Sequence, residues 1–270
     1  MRVVVCIKEV VDPLLPVSEL VVERDKKKIL GPSDIPHVIN GFDEQALEAA
    51  LRLKDNPQSI ADGQCEIVAL SAGAHFTLDI VKTAFAVGAD DLVLVQDAAM
   101  DTWDSHFLAR VLASAIHHMG GADLVICGRQ ASDWDNAQAP LILAEMLGWA
   151  CLTLARKVEV QGRRVRVERV LSDSFQMMES DLPAVVTVTS ELGKMRYVPV
   201  RNRLQAARRQ PRYLTMQTLG MEANASPAVD VLDLSLRAAS GERSCQFVTG
   251  GNGTEAGERL AETLMAANFV

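Results

Sequence analysis

Residues 123–147 read DLVICGRQASDWDNAQAPLILAEML, and this stretch decides the fold. The apolar run DLVICG is typical of a buried strand, and the small and polar residues after it are typical of a loop. The apolar segment that follows, LILAEMLG, is typical of a helix. A strand, a glycine-containing loop and a helix start in this order place backbone N–H groups around an anion or a nucleotide. The stretch therefore predicts a nucleotide site.

The same alternation of strand and helix patterns occurs elsewhere in the first half of the chain. Runs rich in Val, Ile and Leu predict buried strands, and apolar residues at helical spacing predict helices that pack on a sheet. Because strands alternate with helices, we expect an α/β fold with a doubly wound, largely parallel sheet. The predicted strands are residues 3–7, 66–70, 91–95 and 123–127, and the predicted helices are residues 43–54, 78–87 and 107–119.

A different pattern begins after residue 149. Residues 156–170, RKVEVQGRRVRVERV, alternate apolar and polar side chains around Gln161 and Gly162, which predicts an inserted β-hairpin. Residues 182–189, LPAVVTVT, predict one more buried strand.

The C-terminal part of the chain has little sustained periodicity. We interpret residues 1–210 as a nucleotide-binding domain and residues 211–270 as an arm that packs on this domain or on a partner subunit. Within the arm, residues 245–248 predict a strand and the last residues predict a helix. The sequence GGNGTEAG at 250–257 is a near match to glycine-rich phosphate loops, but no strand follows it, so it predicts an ordinary turn.

Composition restricts the class of protein. The chain has 270 residues, 49% of them apolar, and no apolar run of the length that spans a bilayer, so we expect no membrane insertion. Its start, MRVVVCIKEVV, reads as a first strand and not as a signal peptide, which favours the cytoplasm. Five cysteines without a C-x-x-C pair argue against a zinc site or a redox couple and favour small buried side chains in a reducing compartment.

Charge is distributed unevenly along the chain. The net charge is −8, yet residues 194–212 contain seven basic and no acidic residues. This stretch predicts a cationic patch that either steers acidic partners or is simply solvated. Nucleic-acid binding is disfavoured, because only Tyr197 and Tyr213 lie near the patch as stacking aromatics.

No catalytic arrangement is evident. No pair of carboxylates stands out as an acid and a base, and no serine lies in a nucleophile-elbow context. The sequence therefore favours a binding or cofactor-carrying protein over a hydrolase.

Six stretches follow one another in a fixed order along the chain. They are VVVCIKEVVD from Val3, INGFDEQALEAALRLKD from Ile39, TAFAVGADDLVLV from Thr83, GRQASDWDNAQ from Gly128, LPAVVTVT from Leu182 and MRYVPVRNRLQAARRQP from Met195. Together they resemble the beta subunit of electron transfer flavoproteins, including the FixA group. The resemblance covers roughly residues 1–212 and implies a Rossmann-like fold of the adenine nucleotide hydrolase type.

The resemblance implies a heterodimer and an electron-carrying role. An alpha subunit would hold most of the redox FAD, which accepts electrons from acyl-CoA or other flavin-dependent dehydrogenases and passes them to a quinone oxidoreductase or another acceptor. The beta subunit would hold AMP in a structural site, with Phe42 towards the flavin. The matching cofactor-binding positions are Cys6, Asn40, Gly41, Phe42, Asp43, Ala72, Cys127, Gly128, Arg129, Gln130, Ala131, Ser132, Asp133, Trp134, Asp135, Asn136, Ala137 and Gln138.

The family's partner-recognition loop maps to residues 190–197, where Leu192, Arg196 and Tyr197 are the implied docking residues. The loop reads ELGKMRY and lacks the usual Asn-Glu-Pro, so the cognate dehydrogenase is expected to differ. The family's R-E-x-D-G-G sequence is replaced by RVLSDSF at 169–175, which puts in doubt the ion pair and tight turn that steady the mobile flavin domain.

Two alternatives stay open at the level of sequence. The sequence GRQASDWD also resembles the bifurcating branch of the family, in which a second FAD replaces AMP. Trp134 lies in this sequence, where its indole either packs on an adenine or shields the loop. A stand-alone adenine-nucleotide sensor of the universal-stress type shares the same layout, although its spaced glycines ending in Gly-Ser are missing here.

Overall fold

A computed structural model describes residues 1–16, 19–23, 28–30, 37–56, 60, 63–100, 104–221, 229, 231–235 and 245–269. The chain divides into two compact units, Met1–Leu234 and Ser235–Val270. In chain order the elements are β1 (Arg2–Cys6), β2 (Glu9–Val11), β3 (Val21–Glu23), β4 (Lys28–Leu30), β5 (His37–Ile39), α1 (Gly41–Asp55), β6 (Glu66–Gly73), α2 (Leu78–Val81), α3 (Thr83–Val87), β7 (Asp91–Gln96), α4 (Ser105–His118), β8 (Leu124–Gly128), α5 (Ala139–Leu147), β9 (Ala150–Gln161), β10 (Arg164–Val170), β11 (Phe175–Asp181), β12 (Ala184–Val188), α6 (Val200–Arg208), β13 (Arg212–Leu214) and α7 (Gly253–Ala266).

The main sheet of the first unit has nine strands in the order β11-β10-β9-β12-β8-β1-β6-β7-β13. Each neighbouring pair in the part of the sheet β9-β12-β8-β1-β6-β7-β13 is parallel. This confirms the predicted α/β fold with a largely parallel sheet. β1 lies between β6 and β8, so the strand order reverses at β1. Such a reversal leaves a crevice at the carboxyl ends of the strands, where ligands of open α/β sheets bind.

The strands are buried on both faces, which explains their continuous apolar sequence. Val3 and Val5 of β1 pack in one cluster with Leu47 of α1, whereas Val4 packs in a second cluster with Ile116 of α4. All five side chains are fully buried. Helices on both faces therefore cover the sheet, as the alternation of strand and helix patterns predicts.

The predicted hairpin is present, but it belongs to a larger structure. β9 pairs in parallel with β12 and continues as the antiparallel partner of β10, so the hairpin extends the main sheet. A third antiparallel strand, β11, follows and was not predicted. Its side chains are mostly exposed because it lies at the sheet edge, which removes the alternating pattern that marks a half-buried strand.

The sequence RVLSDSF, which replaces the family's R-E-x-D-G-G, spans the turn between β10 and β11. Leu171 N–H donates to the Ser174 carbonyl at 3.0 Å, so a tight turn is retained without the family's Gly-Gly. Beside this turn, the Arg156 guanidinium lies 3.5 Å from the centre of the Phe175 ring. Nη2 of Arg156 also lies 2.7 Å from Glu168 Oε1.

Several sequence-based boundaries were wrong in detail. The helix predicted at 78–87 is two short helices, α2 and α3, on either side of Lys82, whose Nζ donates to the Ala207 carbonyl at 2.9 Å. The strand predicted at 245–248 has no regular structure, and no described strand pairs with it. The sheet also includes β13, which lies beyond residue 210, the predicted end of the main domain.

The second unit is described by one helix, α7. Asn252 caps it, because its Oδ1 accepts from Glu255 N–H at 2.9 Å. In the GGNGTEAG sequence, residues 250–252 therefore precede the helix, and residues 253–257 are its first residues. Across the described residues, no helix has the length and apolar character needed to cross a membrane.

An ion pair between the buried Glu48 and the partly exposed Arg196 attaches the segment after β12 to α1. Glu48 of α1 has 7% of its side chain exposed, and its carboxylate accepts from Arg196 Nε at 2.9 Å and Nη2 at 3.2 Å. The Arg196 backbone N–H donates to the same carboxylate at 3.0 Å. Burial alone raises the pKa of Glu48, but the hydrogen bonds from Arg196 outweigh burial and hold this pKa below its usual value.

Replacing Arg196 tests this attachment. We expect Arg196→Met to lower the free energy of unfolding by about 2 kcal/mol, because a charge-assisted bond to a buried carboxylate is lost. Urea denaturation measures the change. Arg110→Met, at an exposed position of α4, is the control and should change stability by less than about 0.5 kcal/mol. Equal effects of the two variants would contradict the role of the pair.

Candidate functional site

A cavity of about 160 Å³ opens at the carboxyl ends of β1 and β8. This volume is below the roughly 300–1,000 Å³ of pockets that surround a whole drug-sized ligand, so the cavity has room for only part of a nucleotide-sized molecule. The lining residues are Cys6, Ile7, Lys8, Asn40, Asp43, Ala72, Asp104, Ser105, Leu108, Leu112, Cys127, Gly128, Gln130, Ala131, Asp133, Trp134, Asn136, Ala137, Gln138, Ala139, Pro140 and Leu143.

Most of the residues predicted to bind a cofactor line this cavity. The exceptions are Gly41, Phe42, Arg129, Ser132 and Asp135. Sequence reasoning missed the contribution of α4, because its leucines are spaced like ordinary core residues. The lining residues that were missed on α4, on the residue before it and on α5 are Asp104, Ser105, Leu108, Leu112, Ala139, Pro140 and Leu143.

Asp43 joins the three elements that form the cavity floor. Its Oδ2 accepts from Lys8 N–H at 2.8 Å, just after β1, and its Oδ1 accepts from Gly128 N–H at 3.1 Å, at the end of β8. Asp43 itself lies in the first turn of α1. Burial raises the pKa of Asp43 to about 7, although the hydrogen bonds from Asn40, Lys8 and Gly128 oppose this increase.

Asn40 attaches the loop after β8 to the start of α1. Its side chain is fully buried, its Nδ2 donates to the Gln130 carbonyl at 2.8 Å, and its Oδ1 accepts from Ser132 N–H at 3.2 Å. The Asn40 backbone N–H donates to the Lys8 carbonyl at 2.9 Å. One amide side chain therefore satisfies two loop backbone groups and fixes the loop beside β1.

Gly128 is required by the close approach of α1. A Cβ at this position would collide with Asp43 Oδ1 and would lie 2.7 Å from Phe42 Cβ. The glycine therefore allows the β8 end to contact the α1 start, and this contact sets the cavity floor.

The loop backbone is strained at two positions. Asp135 and Ala137 have φ values of 50° and 53°. A left-handed conformation is costly for alanine, about 1–2 kcal/mol, because its Cβ approaches the carbonyl oxygen. Strain of this kind persists where the surrounding structure imposes it, and it occurs often in ligand-binding loops.

Not every loop amide is available to a ligand. Ser132 N–H donates to Asn40 Oδ1 at 3.2 Å and Asp135 N–H donates to the Ala131 carbonyl at 2.9 Å, so both amides are already bonded within the protein. The nine-residue helix α5 begins at the cavity with Ala139, so its N-terminus supplies positive potential there.

Charged side chains occupy distinct sides of the loop. Lys8 Nζ lies 2.6 Å from Asp133 Oδ2, and both residues line the cavity. Arg129 does not line it, and its guanidinium lies 5.0 Å from the centre of the Phe42 ring. The cofactor-binding role of Arg129 therefore stays a prediction.

The predicted docking residues differ in accessibility. Leu192 is 5% exposed and belongs to the core, and Arg196 is bound to Glu48. Tyr197 is 80% exposed. The docking role of these residues stays a prediction, with Tyr197 as the accessible side chain.

Part of the basic stretch is also engaged within the domain. Arg209 Nη1 donates to the Ala89 carbonyl at 3.1 Å, and its guanidinium lies 3.7 Å from the centre of the Phe85 ring. Arg212 Nε lies 2.6 Å from Asp91 Oδ2. These contacts attach the end of α6 and β13 to the sheet, so the stretch has a structural role besides its charge.

The fold and the crevice define an α/β protein of Rossmann-like type. Residues 29–232 match the family model described as the electron transfer flavoprotein domain. The chain is 32% identical over 216 residues to electron transfer flavoprotein subunit beta of Megasphaera elsdenii, covering 78% of this chain and 76% of that protein. It is 30% identical to the corresponding subunit of Thermoanaerobacterium thermosaccharolyticum over the full length of both chains.

A third relative carries a more specific name. The caffeyl-CoA reductase-Etf complex subunit CarD of Acetobacterium woodii is 30% identical over 201 residues, which cover 74% of this chain and 72% of that protein. The chain belongs to the electron transfer flavoprotein family, as a beta subunit, and takes part in electron transfer.

The space around Gly128 gives a direct test of the cavity floor. We expect Gly128→Ala to lower the free energy of unfolding by about 1–3 kcal/mol, because the added methyl group overlaps Phe42 and Asp43. Gly41→Ala is the matched control, since a Cβ at Gly41 meets nothing within 4 Å. Thermal and urea denaturation compare the variants, and a Gly128→Ala protein as stable as Gly41→Ala would contradict the packing.

The pKa of Asp43 predicts a pH dependence of stability. Because this pKa is raised to about 7 in the folded chain, the protonated form stabilises the fold and this stabilisation is lost as the pH rises through 7. We compare the free energies of unfolding of the original chain and Asp43→Asn at about pH 5.5 and about pH 8.5. The advantage of the original chain should shrink at the higher pH. A difference that does not change with pH would refute the raised pKa.

Proposed function

We propose that this chain binds AMP in the cavity at the ends of β1 and β8, as the beta subunit of a heterodimer whose alpha subunit holds the redox FAD. The observation that carries the proposal is the position of the cavity, at the strand-order reversal beside β1 and in front of the N-terminus of α5. Anionic ligands bind at such helix ends, and nucleotides bind at such reversals.

The lining side chains suit an adenosine moiety. Trp134, Leu108 and Leu143 offer apolar surface for a purine ring, and the Asp133 carboxylate, which is paired with Lys8, can also accept from ribose hydroxyl groups. The fixed loop, with Asn40 bonded to Gln130 and Ser132, needs no rearrangement to keep this shape. These features support a structural nucleotide that this chain holds without chemical change.

In the proposed heterodimer, FAD supplies the electron-transfer chemistry when it is bound to the alpha subunit. The beta subunit provides the scaffold and a docking surface around Tyr197, and the part of the C-terminal arm that follows β13 contacts the alpha subunit. Electron donors would be acyl-CoA or other flavin-dependent dehydrogenases, and the acceptor a quinone oxidoreductase or another protein. A cytoplasmic location is part of this proposal.

A bifurcating role is the second candidate. Trp134 lines the cavity within the GRQASDWD sequence. Two relatives are named as parts of reductase systems, the caffeyl-CoA reductase-Etf complex subunit CarD and the acryloyl-CoA reductase electron transfer subunit gamma of Anaerotignum propionicum. In this reading a second FAD takes the place of AMP.

Identification of the released nucleotides separates the candidates. The chain is co-expressed with its partner subunit, purified and denatured, and the supernatant is analysed by mass spectrometry. One AMP and one FAD per heterodimer support the proposal, and two FAD molecules support bifurcation. ATP released from an isolated homodimer would instead support the stand-alone sensor, and the absence of any adenine nucleotide would refute all three.

The indole of Trp134 gives a quantitative test. We expect Trp134→Ala to raise the Kd for AMP about tenfold, since stacking of an aromatic side chain on a base contributes about 1–3 kcal/mol. Isothermal titration calorimetry on nucleotide-depleted protein measures this change. Leu141→Ala, at a position of α5 that is 46% exposed and outside the cavity lining, should leave the Kd unchanged. An unchanged Kd in Trp134→Ala would remove the indole from the site.

A further inference from the structure

Two cysteines face each other across neighbouring strands at the floor of the cavity. Cys6 of β1 is the register partner of Cys127 of β8 in a parallel pair. Both side chains belong to the same face of the sheet, where they pack with the α4 and α5 cluster. Neighbouring strands are about 4.8 Å apart, and disulfides form between Cα atoms about 4.4–6.8 Å apart.

The two thiols lie at the cavity wall. Both residues line it, Cys6 is partly buried, and Cys127 is 4% exposed. A hydrogen bond with Cys6, together with burial and the nearby Asp43 and Cys151, raises the pKa of the Cys127 thiol. Since Cys6 is the more exposed of the two, a small reagent reaches Cys6 first.

We propose that Cys6 and Cys127 form an oxidisable dithiol that peroxide reaches through the nucleotide cavity, so that a bound adenylate protects it. The part of the proposal that concerns protection rests on the proposed AMP site. The part that concerns disulfide formation rests only on the strand register and the cavity.

The chemistry balances with hydrogen peroxide as the oxidant. Peroxide converts the Cys6 thiol to a sulfenic acid and releases one water. The Cys127 sulfur then attacks the sulfenic sulfur, the S–S bond forms, and the hydroxyl group leaves with the thiol proton as a second water. The dithiol loses two electrons and two protons, and peroxide is reduced to two molecules of water.

The other three cysteines lack such a partner. Cys151 of β9 pairs in register with Val185 of β12. Cys65 precedes β6, at the opposite end of the sheet. Cys245 belongs to the second compact unit, where it is exposed. Cys151→Ser is therefore the matched control, because it removes a partly buried thiol from the same cluster.

The experiment uses the full chain with Cys245→Ser, which prevents disulfides between molecules. Protein treated with charcoal to remove nucleotide is exposed to hydrogen peroxide, alkylated and digested, and the peptides are mapped by mass spectrometry. We expect a Cys6–Cys127 cross-linked peptide and a whole-protein mass lower by two hydrogens. The same product should form in Cys151→Ser and should be absent from Cys6→Ser and Cys127→Ser.

A second arm adds AMP at about 100 times its measured Kd. Only about one site in a hundred is then free, so disulfide formation should slow about 100-fold. If the cross-link is absent from nucleotide-free protein, or only sulfinic acid forms at Cys6, the dithiol proposal is refuted. If AMP binds but does not slow the reaction, the protective role is refuted. If calorimetry detects no AMP binding, the proposed AMP site fails, while the first arm still decides the dithiol.

Discussion

The crevice at the carboxyl ends of β1 and β8 depends on the hydrogen bonds that the buried Asp43 side chain accepts. Its two oxygens accept backbone N–H groups from the ends of two different strands, Lys8 after β1 and Gly128 at the end of β8. An asparagine in this position would place its side-chain NH₂ group against one of the two backbone N–H groups, so two donors would face each other. An apolar side chain would leave both N–H groups without an acceptor. The start of α1 is thus attached to the point where the strand order reverses.

The helix α1 connects this crevice to the predicted docking segment. Its first turn carries Asp43, and five residues later Glu48 binds Arg196 with both its carboxylate oxygens. Because the helix is rigid and its inner face is buried, the segment after β12 and the crevice are held by one element. The core position of Leu192 follows from the same arrangement, since Arg52 of α1 donates to the Leu192 carbonyl at 3.0 Å.

The loop after β8 presents two chemically different sides. Trp134, Asp133 and the start of α5 border the crevice, whereas Arg129 lies over Phe42 outside it. This division separates the proposed nucleotide contacts from a cation and an aromatic ring that face elsewhere. The strained backbone at Ala137 belongs to the crevice side, which accords with a loop whose shape is imposed by its neighbours.

The sequence by itself determined the parallel sheet, the covering helices and the loop that borders the crevice. These features come from local patterns, since a strand buried on both faces is continuously apolar and a covering helix repeats every three to four residues. Only the tertiary structure decided that Leu108 and Leu143 line the crevice, that Arg129 does not, and that Cys6 meets Cys127. It also decided the sheet membership of β11, whose exposed edge position gives no periodic signal. These outcomes depend on which distant segments pack together, and residue spacing along one chain carries no information about such contacts.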